Sequence, residues 1–232
     1  MKKHLTYFVL TFAIMLGLTF SQAQAAVVII DDFATGVDLS SFGTSSAVDD
    51  GFYSNVLGGY RDTRVFASSG GVSINYSPVV GNTIAFNALA GSSGYYVSHY
   101  NGIGTNGSLN LDLLGSNTTG NFTLIVNAAN GTGTAHVSVV DNNDNHFSSI
   151  QDITNGFAGS LNFNYSDFLG AGVDLTNIKS VNLGIFSSSV ADDFTLGLFT
   201  ATSSVVPEPA SLALLGVGGL MLLRRRNRTR VA

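Results

Sequence analysis

The sequence predicts an all-β fold, a β-sandwich of the jelly-roll type, over residues 26–204 of the 232-residue chain. Three observations lead to this prediction. No long stretch of this region repeats apolar residues at the helical period. Short runs alternate apolar and polar residues, as in strands with one buried face; 122–126 and 135–140 are two of them. Clusters of Asn, Gly and Ser separate the runs, as expected of the turns of a sandwich.

The strand candidates follow from this alternation and are spread over the whole region. The linker 128–133 is rich in turn-forming residues, so the runs on either side of it are predicted to form a hairpin. The next turn, 141–144, leads into a further run. In chain order the candidates are 27–30, 64–67, 72–76, 95–100, 109–114, 122–126, 135–140, 146–150, 161–163, 181–186 and 195–200.

The first 25 residues are predicted to be a signal peptide. A short basic start precedes the apolar run 5–20, and small residues at Ala23 and Ala25 form an Ala-x-Ala cleavage pattern. Removal of this segment after Ala25 implies export through the Sec translocon. The alternative is an uncleaved membrane anchor, for which the apolar run is short.

Charge is unevenly distributed along the chain. Between residues 26 and 206 there are three basic residues, Arg61, Arg64 and Lys179, against fourteen aspartates, a net charge of −11. So acidic a domain repels phosphate backbones, which disfavours nucleic acid as a partner and suits divalent cations better. The chain has no cysteine, and a domain of this size buries a core without disulfides, so their absence says nothing about export.

The C-terminus has three parts in a fixed order. Pro207, Glu208 and Pro209 come first, the apolar segment 210–223 follows, and arginines end the chain. The segment is predicted to be a transmembrane helix, although it is short of the roughly 20 residues of a permanent span. The alternative, a buried core helix with a basic tail, fits the arginines less well, because such a cluster holds a segment on the cytoplasmic side. These arginines are Arg224, Arg225, Arg226, Arg228 and Arg230.

This order of parts, over residues 205–232, resembles the PEP-CTERM sorting signal of Gram-negative bacteria. The resemblance implies recognition and cleavage by an exosortase, a membrane enzyme, and association with exopolysaccharide and biofilm. It implies that sorting depends on Pro207, Glu208 and Pro209, with Arg224, Arg225 and Arg226 holding the tail. We therefore expect a non-enzymatic exported protein that passes through the inner membrane to the cell surface or extracellular matrix.

A second, diffuse resemblance concerns the domain between the two ends. It opens with Ile-Asp-Asp-Phe at 30–33 and closes with Ala-Asp-Asp-Phe at 191–194, with Gly-Tyr-Arg-Asp at 59–62 and Leu-Thr-Asn-Ile at 175–178 between them. The arrangement is similar to jelly-roll carbohydrate-binding modules of the galactose-binding-like group, whose first and last strands are often neighbours. It implies an alternative function, carbohydrate binding, with exopolysaccharide as partner.

If the first and last strands are neighbours, the two Asp-Asp pairs converge, and carboxylates so close favour a bound cation. Under this hypothesis a structural calcium ion is the one cofactor. The alternative is that Phe33 and Phe194 fill the core while the carboxylates cap strands in solvent. The predicted ligands are Asp31, Asp32, Asp192 and Asp193.

A sugar site needs exposed aromatic rings beside polar groups. Side chains alternate along a strand, so Tyr96 and Tyr100 share one face of the run 95–100, and Tyr95 and His99 share the other. One face must be core, so only one set is a candidate platform. We assign ligand binding to Tyr96 and Tyr100. The chain has no tryptophan, which weakens the carbohydrate hypothesis.

Catalytic patterns are weak. The one glutamate, Glu208, belongs to the sorting signal, and Asp49 and Asp50 are adjacent, so on a strand they point to opposite faces. The histidines of the domain are separated by whole strands. A glycan-active enzyme remains a less favoured alternative, and it would need convergent carboxylates or a His–Asp pair in a cleft.

Two further patterns are read as turns. Residues 102–107 match a dinucleotide-binding fingerprint by letter, but the sequence after them alternates like a strand, where the fingerprint requires a helix. Residues 141–145 have the spacing of a calcium loop, but His146 stands where such a loop needs glycine. The second pattern is predicted to be a hairpin turn.

Overall fold

The structure is a computed structural model that describes residues 26–78, 81–102, 107–115, 119–188 and 191–204. Residues Ala25–Ser204 form a compact unit. The predicted signal peptide, the transmembrane segment 210–223 and the sorting residues lie outside the described residues. Within the described part, no helix is long and apolar enough to cross a membrane.

Nearly all regular structure in the described part is β-strand. One 3₁₀ turn, Leu57–Gly59, and one short helix, α1 (Tyr165–Gly170), accompany thirteen strands. The strands are β1 (Ala26–Asp31), β2 (Leu39–Phe42), β3 (Ser46–Phe52), β4 (Tyr60–Ser69), β5 (Gly71–Ser77), β6 (Thr83–Ala88), β7 (Ser93–Tyr100), β8 (Thr119–Asn130), β9 (Gly133–Asp141), β10 (His146–Ile153), β11 (Gly159–Asn164), β12 (Ile178–Ser187) and β13 (Asp193–Ser204).

The strands form two antiparallel sheets. Sheet A has the order β11-β8-β13-β6-β5-β2, and β1 also pairs with β13. Sheet B has the order β10-β9-β12-β7-β4-β3. The predicted all-β sandwich is therefore confirmed.

The core lies between the two sheets and follows from the alternation in the sequence. In β9, Ala135, Val137 and Val139 are fully buried while the residues between them are partly exposed. The central strands of both sheets turn one such apolar row inward, which is the arrangement that an antiparallel sandwich requires, whereas the edge strand β3 has no buried residue. Rings from both halves of the chain fill the centre: Phe33, Phe86, Phe122, Phe163, Phe194 and Phe199 are essentially inaccessible to solvent.

The first and last strands are neighbours, as predicted. Ala26 of β1 lies opposite Ser203 of β13, and the pairing runs antiparallel to Asp31, which lies opposite Phe199. The same edge of β13 pairs with β6 over residues 193–196, so Gly197 and Leu198 separate the two partners.

Two predictions about local structure are wrong. Runs 122–126 and 135–140 do not form a hairpin, because β8 belongs to sheet A and β9 to sheet B. Their apolar rows face each other across the core, and the turn between them crosses from one sheet to the other. Residues 109–114 are not a strand: Leu111 forms one isolated bridge with Ile178. Asn110, with a left-handed φ of 46°, breaks the extended backbone. The strand prediction also missed β2, β3 and β6.

Candidate functional site

The four predicted calcium ligands are not brought together. Asp31 lies opposite Phe199, whereas Asp193 lies opposite Asn87 and Asn130, six residues earlier on β13. Six residues of extended strand span about 20 Å. The expected convergence is wrong because the antiparallel pairing joins β1 to the far half of β13. Among the described residues, no group of three or more His, Asp or Glu side chains could hold a metal.

The aspartates at the ends of β1 and β13 have separate partners. Asp32 Oδ1 accepts the N–H of Ala34 at 2.9 Å and a hydrogen bond from Asn55. Asp192 Oδ1 accepts the N–H of Thr132 at 3.0 Å. These two carboxylates therefore stabilise turns by hydrogen bonding.

Asp31 belongs to a buried polar cluster between the sheets. Its Oδ2 accepts a 2.6 Å hydrogen bond from Arg61 Nη1, and both side chains are fully buried. The guanidinium lies 4.4 Å from the ring centroid of Tyr53 and 4.7 Å from that of Tyr76, close enough for cation–π attraction. Arg61 of sheet B is thereby tied to β1 and β5 of sheet A, which indicates a structural role.

Tyr96 and Tyr100 are fully buried, so assigning them to an exposed sugar platform is wrong. The Tyr100 hydroxyl donates to Asp31 Oδ2 at 3.0 Å, and the Tyr96 hydroxyl lies 2.6 Å from Ser98 Oγ. Burial raises the pKa of Tyr96 to about 12. This face of β7 can be buried because the hydroxyls of Tyr96 and Tyr100 find hydrogen-bonding partners inside the domain. In the sequence the same hydroxyls suggest a face in contact with solvent.

The opposite face of β7 carries the aromatic side chains that are accessible. Tyr95 stacks with Phe66 of β4 at 5.1 Å between ring centroids and contacts Phe186 of β12 at 5.2 Å. His136 of β9 lies 4.4 Å from Phe186. We call these four partly exposed residues the aromatic strip. It crosses four adjacent strands on the outer face of sheet B.

Backbone register produces the strip. Phe66 lies opposite Tyr95, and Tyr95 lies opposite Phe186, so these three rings fall into a single row, while His136 lies diagonally to Phe186, opposite Gly184. Gly184, one outward position away, leaves space beside Phe186: a Cβ there would lie 2.7 Å from the Phe186 ring. Burial lowers the pKa of His136, so its ring is neutral at neutral pH.

A polar row runs parallel to the strip on the same face. Asp62, His99, Asn182 and Ser138 lie opposite one another in sequence across β4, β7, β12 and β9. Burial lowers the pKa of His99, against the opposing effect of Asp62. The row therefore offers a carboxylate, a neutral imidazole, an amide and a hydroxyl on the same face, four residues or about 14 Å along the strands from Phe66, Tyr95 and Phe186.

The outer face of sheet A is different in character. Asn121 and Thr123 of β8 both bond to Asn162 of β11 at 3.0 Å, and Asn87 of β6 bonds to Asn75 of β5 at 3.2 Å. The strip is therefore not a general property of the surface of this sandwich. Among the described residues it is the assembly that best fits a planar, partly apolar ligand, since ligand sites combine aromatic surface with a few placed polar groups.

The remaining candidates serve the fold. Asp49 and Asp50 accept hydrogen bonds from Tyr53 and Tyr60. Residues 141–145 form the β9–β10 turn, as predicted: Asp141 is fully buried and accepts the N–H groups of Asn143 and Asn145.

The sequence could have indicated the strip only in part. An aromatic residue at one parity in each of β4, β7 and β12 is visible in the sequence, but which parity faces solvent, and which strands are adjacent, are not.

Comparison with known families identifies the C-terminal segment. Residues 205–228 match the PEP-CTERM protein-sorting motif. This confirms the resemblance drawn from Pro207, Glu208 and Pro209 and implies an exported protein that an exosortase processes at the membrane. No curated protein matches the chain.

Solved structures similar to the chain are mostly carbohydrate-binding modules. One is the family 11 carbohydrate-binding module of the cellulase Lic26A-Cel5E of Clostridium thermocellum, 12% identical, covering 79% of this chain and 98% of that chain, with a TM-score of 0.40. Another is a family 29 module, 12% identical, covering 82% and 99%, with a TM-score of 0.38. The agarase AgWH50C is 12% identical over 79% of this chain and 25% of its own, with a TM-score of 0.43.

Proposed function

We propose that this exported protein binds a polysaccharide on the outer face of sheet B and is retained in the exopolysaccharide of a Gram-negative cell surface or biofilm matrix. The sorting motif implies processing by an exosortase. The partly exposed aromatic strip is the observation that carries the binding proposal. The protein acts by binding and performs no catalysis.

The chemistry of the strip supports this function. A pyranose ring has an apolar C–H face, which packs on aromatic rings, and hydroxyls at its rim, which need hydrogen-bonding partners. Tyr95 and Phe186 supply the rings. Thr134, which lies opposite Phe186, and His136, whose Nε2 lies 2.9 Å from the Thr134 hydroxyl, supply the polar groups beside them. Because the strip crosses the strands, an extended chain would contact one ring per strand.

Replacing Tyr95 or Phe186 by alanine is expected to weaken polysaccharide binding at least about fivefold, because aromatic anchors at the centre of a binding surface each contribute more than about 1 kcal/mol. Affinity electrophoresis of the mature protein in gels containing the producing culture's own matrix polysaccharide, soluble β-glucan or β-mannan measures the effect. The matched control is Phe42→Ala, which removes a 65% exposed aromatic residue outside the strip.

Two outcomes contradict the proposal. One is a wild-type protein that no polysaccharide in the panel retards. The other is a pair of strip variants that bind as the wild type does. Circular dichroism and thermal melting of each variant separate a lost contact from a lost fold.

Replacing Pro207, Glu208 and Pro209 together by alanine is expected to abolish processing, since the extended backbone before and between prolines is the form in which a processing enzyme binds its substrate. A larger, membrane-retained form should replace the mature protein on a blot of fractionated cells, with the tail present by intact mass. Thr229→Ala, beyond the matched residues 205–228, is the control. Normal maturation of the triple variant would refute the assignment.

A further inference from the structure

One edge of sheet A differs from the other strand edges of the sandwich. β1 hydrogen-bonds to β13 along one side, and among the described residues no strand pairs with its other side over 26–30; the one other contact of this kind is a bridge between Asp31 and Val56. Such an edge presents backbone N–H and C=O groups that can pair with another strand. The side chains of Val27 and Ile29 beside it are 61% and 51% exposed.

The other edges carry features that oppose pairing. Strand β3 carries the adjacent carboxylates Asp49 and Asp50, and β10 carries Asp152. Strand β2 has four residues, and β11 exposes polar side chains. Charges, short length and polar residues are the usual means by which proteins block edge-to-edge association. In contrast, β1 has the sequence Ala-Val-Val-Ile-Ile before its terminal aspartate, with four consecutive β-branched residues of high strand propensity.

We propose that two copies of the mature protein associate through their β1 strands, which pair antiparallel and join the two copies of sheet A into one continuous sheet. This interface is separate from the aromatic strip, which lies on sheet B, and the proposal does not depend on polysaccharide binding.

The occupant follows from the symmetry and charge of the strand. In an antiparallel pair centred on Val28, Val27 lies opposite Ile29 of the partner subunit, and the reciprocal pair forms at the other end. Both exposed side chains are then covered by β-branched neighbours on the same face, a favourable cross-strand combination. No side chain of residues 26–30 is charged, so the side chains of the two strands meet without repulsion although each domain is strongly acidic. Such self-complementarity is what a twofold interface requires.

Sedimentation velocity of the mature protein over a dilution series tests the proposal, with a monomer–dimer equilibrium expected for the wild type. The double variant Val27→Lys/Ile29→Lys is expected to be monomeric throughout, because like charges face each other across the pair. Both positions are exposed in the monomer, so the fold should tolerate the change. Val37→Lys, at a residue that is 50% exposed but lies outside β1, controls for the added charge and should dimerise as the wild type does.

A charge exchange makes the test specific to this pairing. The variant Val27→Glu/Ile29→Glu should also be monomeric by itself, and mixing it with the lysine variant should restore a dimer that contains one copy of each. A wild-type protein that is monomeric at every concentration would overturn the proposal. So would a dimer that the β1 charges leave intact, a mixture that stays monomeric, or a monomer whose β1 edge is occupied by a strand from a different protein.

Discussion

Replacing Arg61 by methionine is expected to lower the free energy of unfolding by about 3–5 kcal/mol at neutral pH, the usual cost of removing one partner of a buried ion pair. The variant would leave the carboxylate of Asp31 fully buried. It would keep the Phe33 N–H at 2.8 Å and the Tyr100 hydroxyl at 3.0 Å but lose its counter-charge. Urea unfolding of the mature protein measures the change. Arg64→Met, on the same strand but with an exposed side chain, is the control and should be nearly neutral.

The pH dependence of this loss identifies its cause. Burial raises the pKa of Asp31 above its usual value of 3.8, against the opposing attraction of Arg61. Without Arg61 the pKa rises further, so the folded variant holds a proton that the unfolded chain has released. A carboxyl with a raised pKa in the folded state loses stability as pH increases from its unfolded value through its folded value. The difference in free energy of unfolding between the wild type and Arg61→Met should therefore be larger at neutral pH than at about pH 4.

A second substitution separates charge from packing. In Arg61→Met/Asp31→Asn no ion is buried, and the amide oxygen still accepts the Phe33 N–H, so the double variant should be more stable than Arg61→Met alone. If the double variant is equally unstable, or the deficit is the same at both pH values, the loss comes from the packing of Arg61 between Tyr53 and Tyr76 and the charge argument is wrong.

Replacing Asp141 by asparagine is expected to lower the free energy of unfolding by about 2–4 kcal/mol, because hydrogen bonds to a buried carboxylate are individually strong. Oδ1 accepts the N–H groups of Asn143 and Asn145, and Oδ2 accepts the N–H of Asp174 and the Asn145 amide, all at 2.8–2.9 Å. An asparagine has one acceptor oxygen, so whichever way it turns, its NH₂ group faces two donors. The same denaturation experiment measures the loss.

The matched control lies in the same turn. Asp144 is paired with Lys179 at 2.5 Å, but its side chain is 75% exposed, and exposed ion pairs contribute at most about 1 kcal/mol. Asp144→Asn should therefore be nearly neutral. Equal losses in the two variants would show that the turn needs negative charge in general and not the bonds of Asp141.

At acid pH the free energies of unfolding of Asp141→Asn and the wild type should differ less than at neutral pH. Burial alone would raise the pKa of Asp141, but the hydrogen bonds from Asp174, Asn145 and Asn143 outweigh it and hold the pKa below 3.8. A lowered carboxyl pKa adds stability that is present above the unfolded value and lost as pH falls through the folded value. The wild type loses this contribution in strong acid, and the variant never has it.

Local information in the sequence was sufficient for several features. The sorting motif, the all-β class and most strands follow from contiguous residues or from alternation within a strand. The turn at 141–145 was predicted because His146 stands where a calcium loop needs glycine. That β1 and β13 are neighbours was also predicted, from the resemblance to jelly-roll carbohydrate-binding modules. Each of these depends on residues close together in the chain or on a widespread architecture.

The tertiary structure decided the rest, and the reason is the same in each case. Alternation shows which residues of a strand share a face, but the burial of that face depends on distant partners. Tyr96 and Tyr100 are buried because Asp31 and Arg61 form a polar cluster beside them, and Tyr95 is therefore left on the surface. The hairpin between β8 and β9 does not form because their partners, β13 and β12, lie 37 or more residues away along the chain. The aromatic strip combines both effects, since it needs the outward face of each strand and the order of four strands in sheet B.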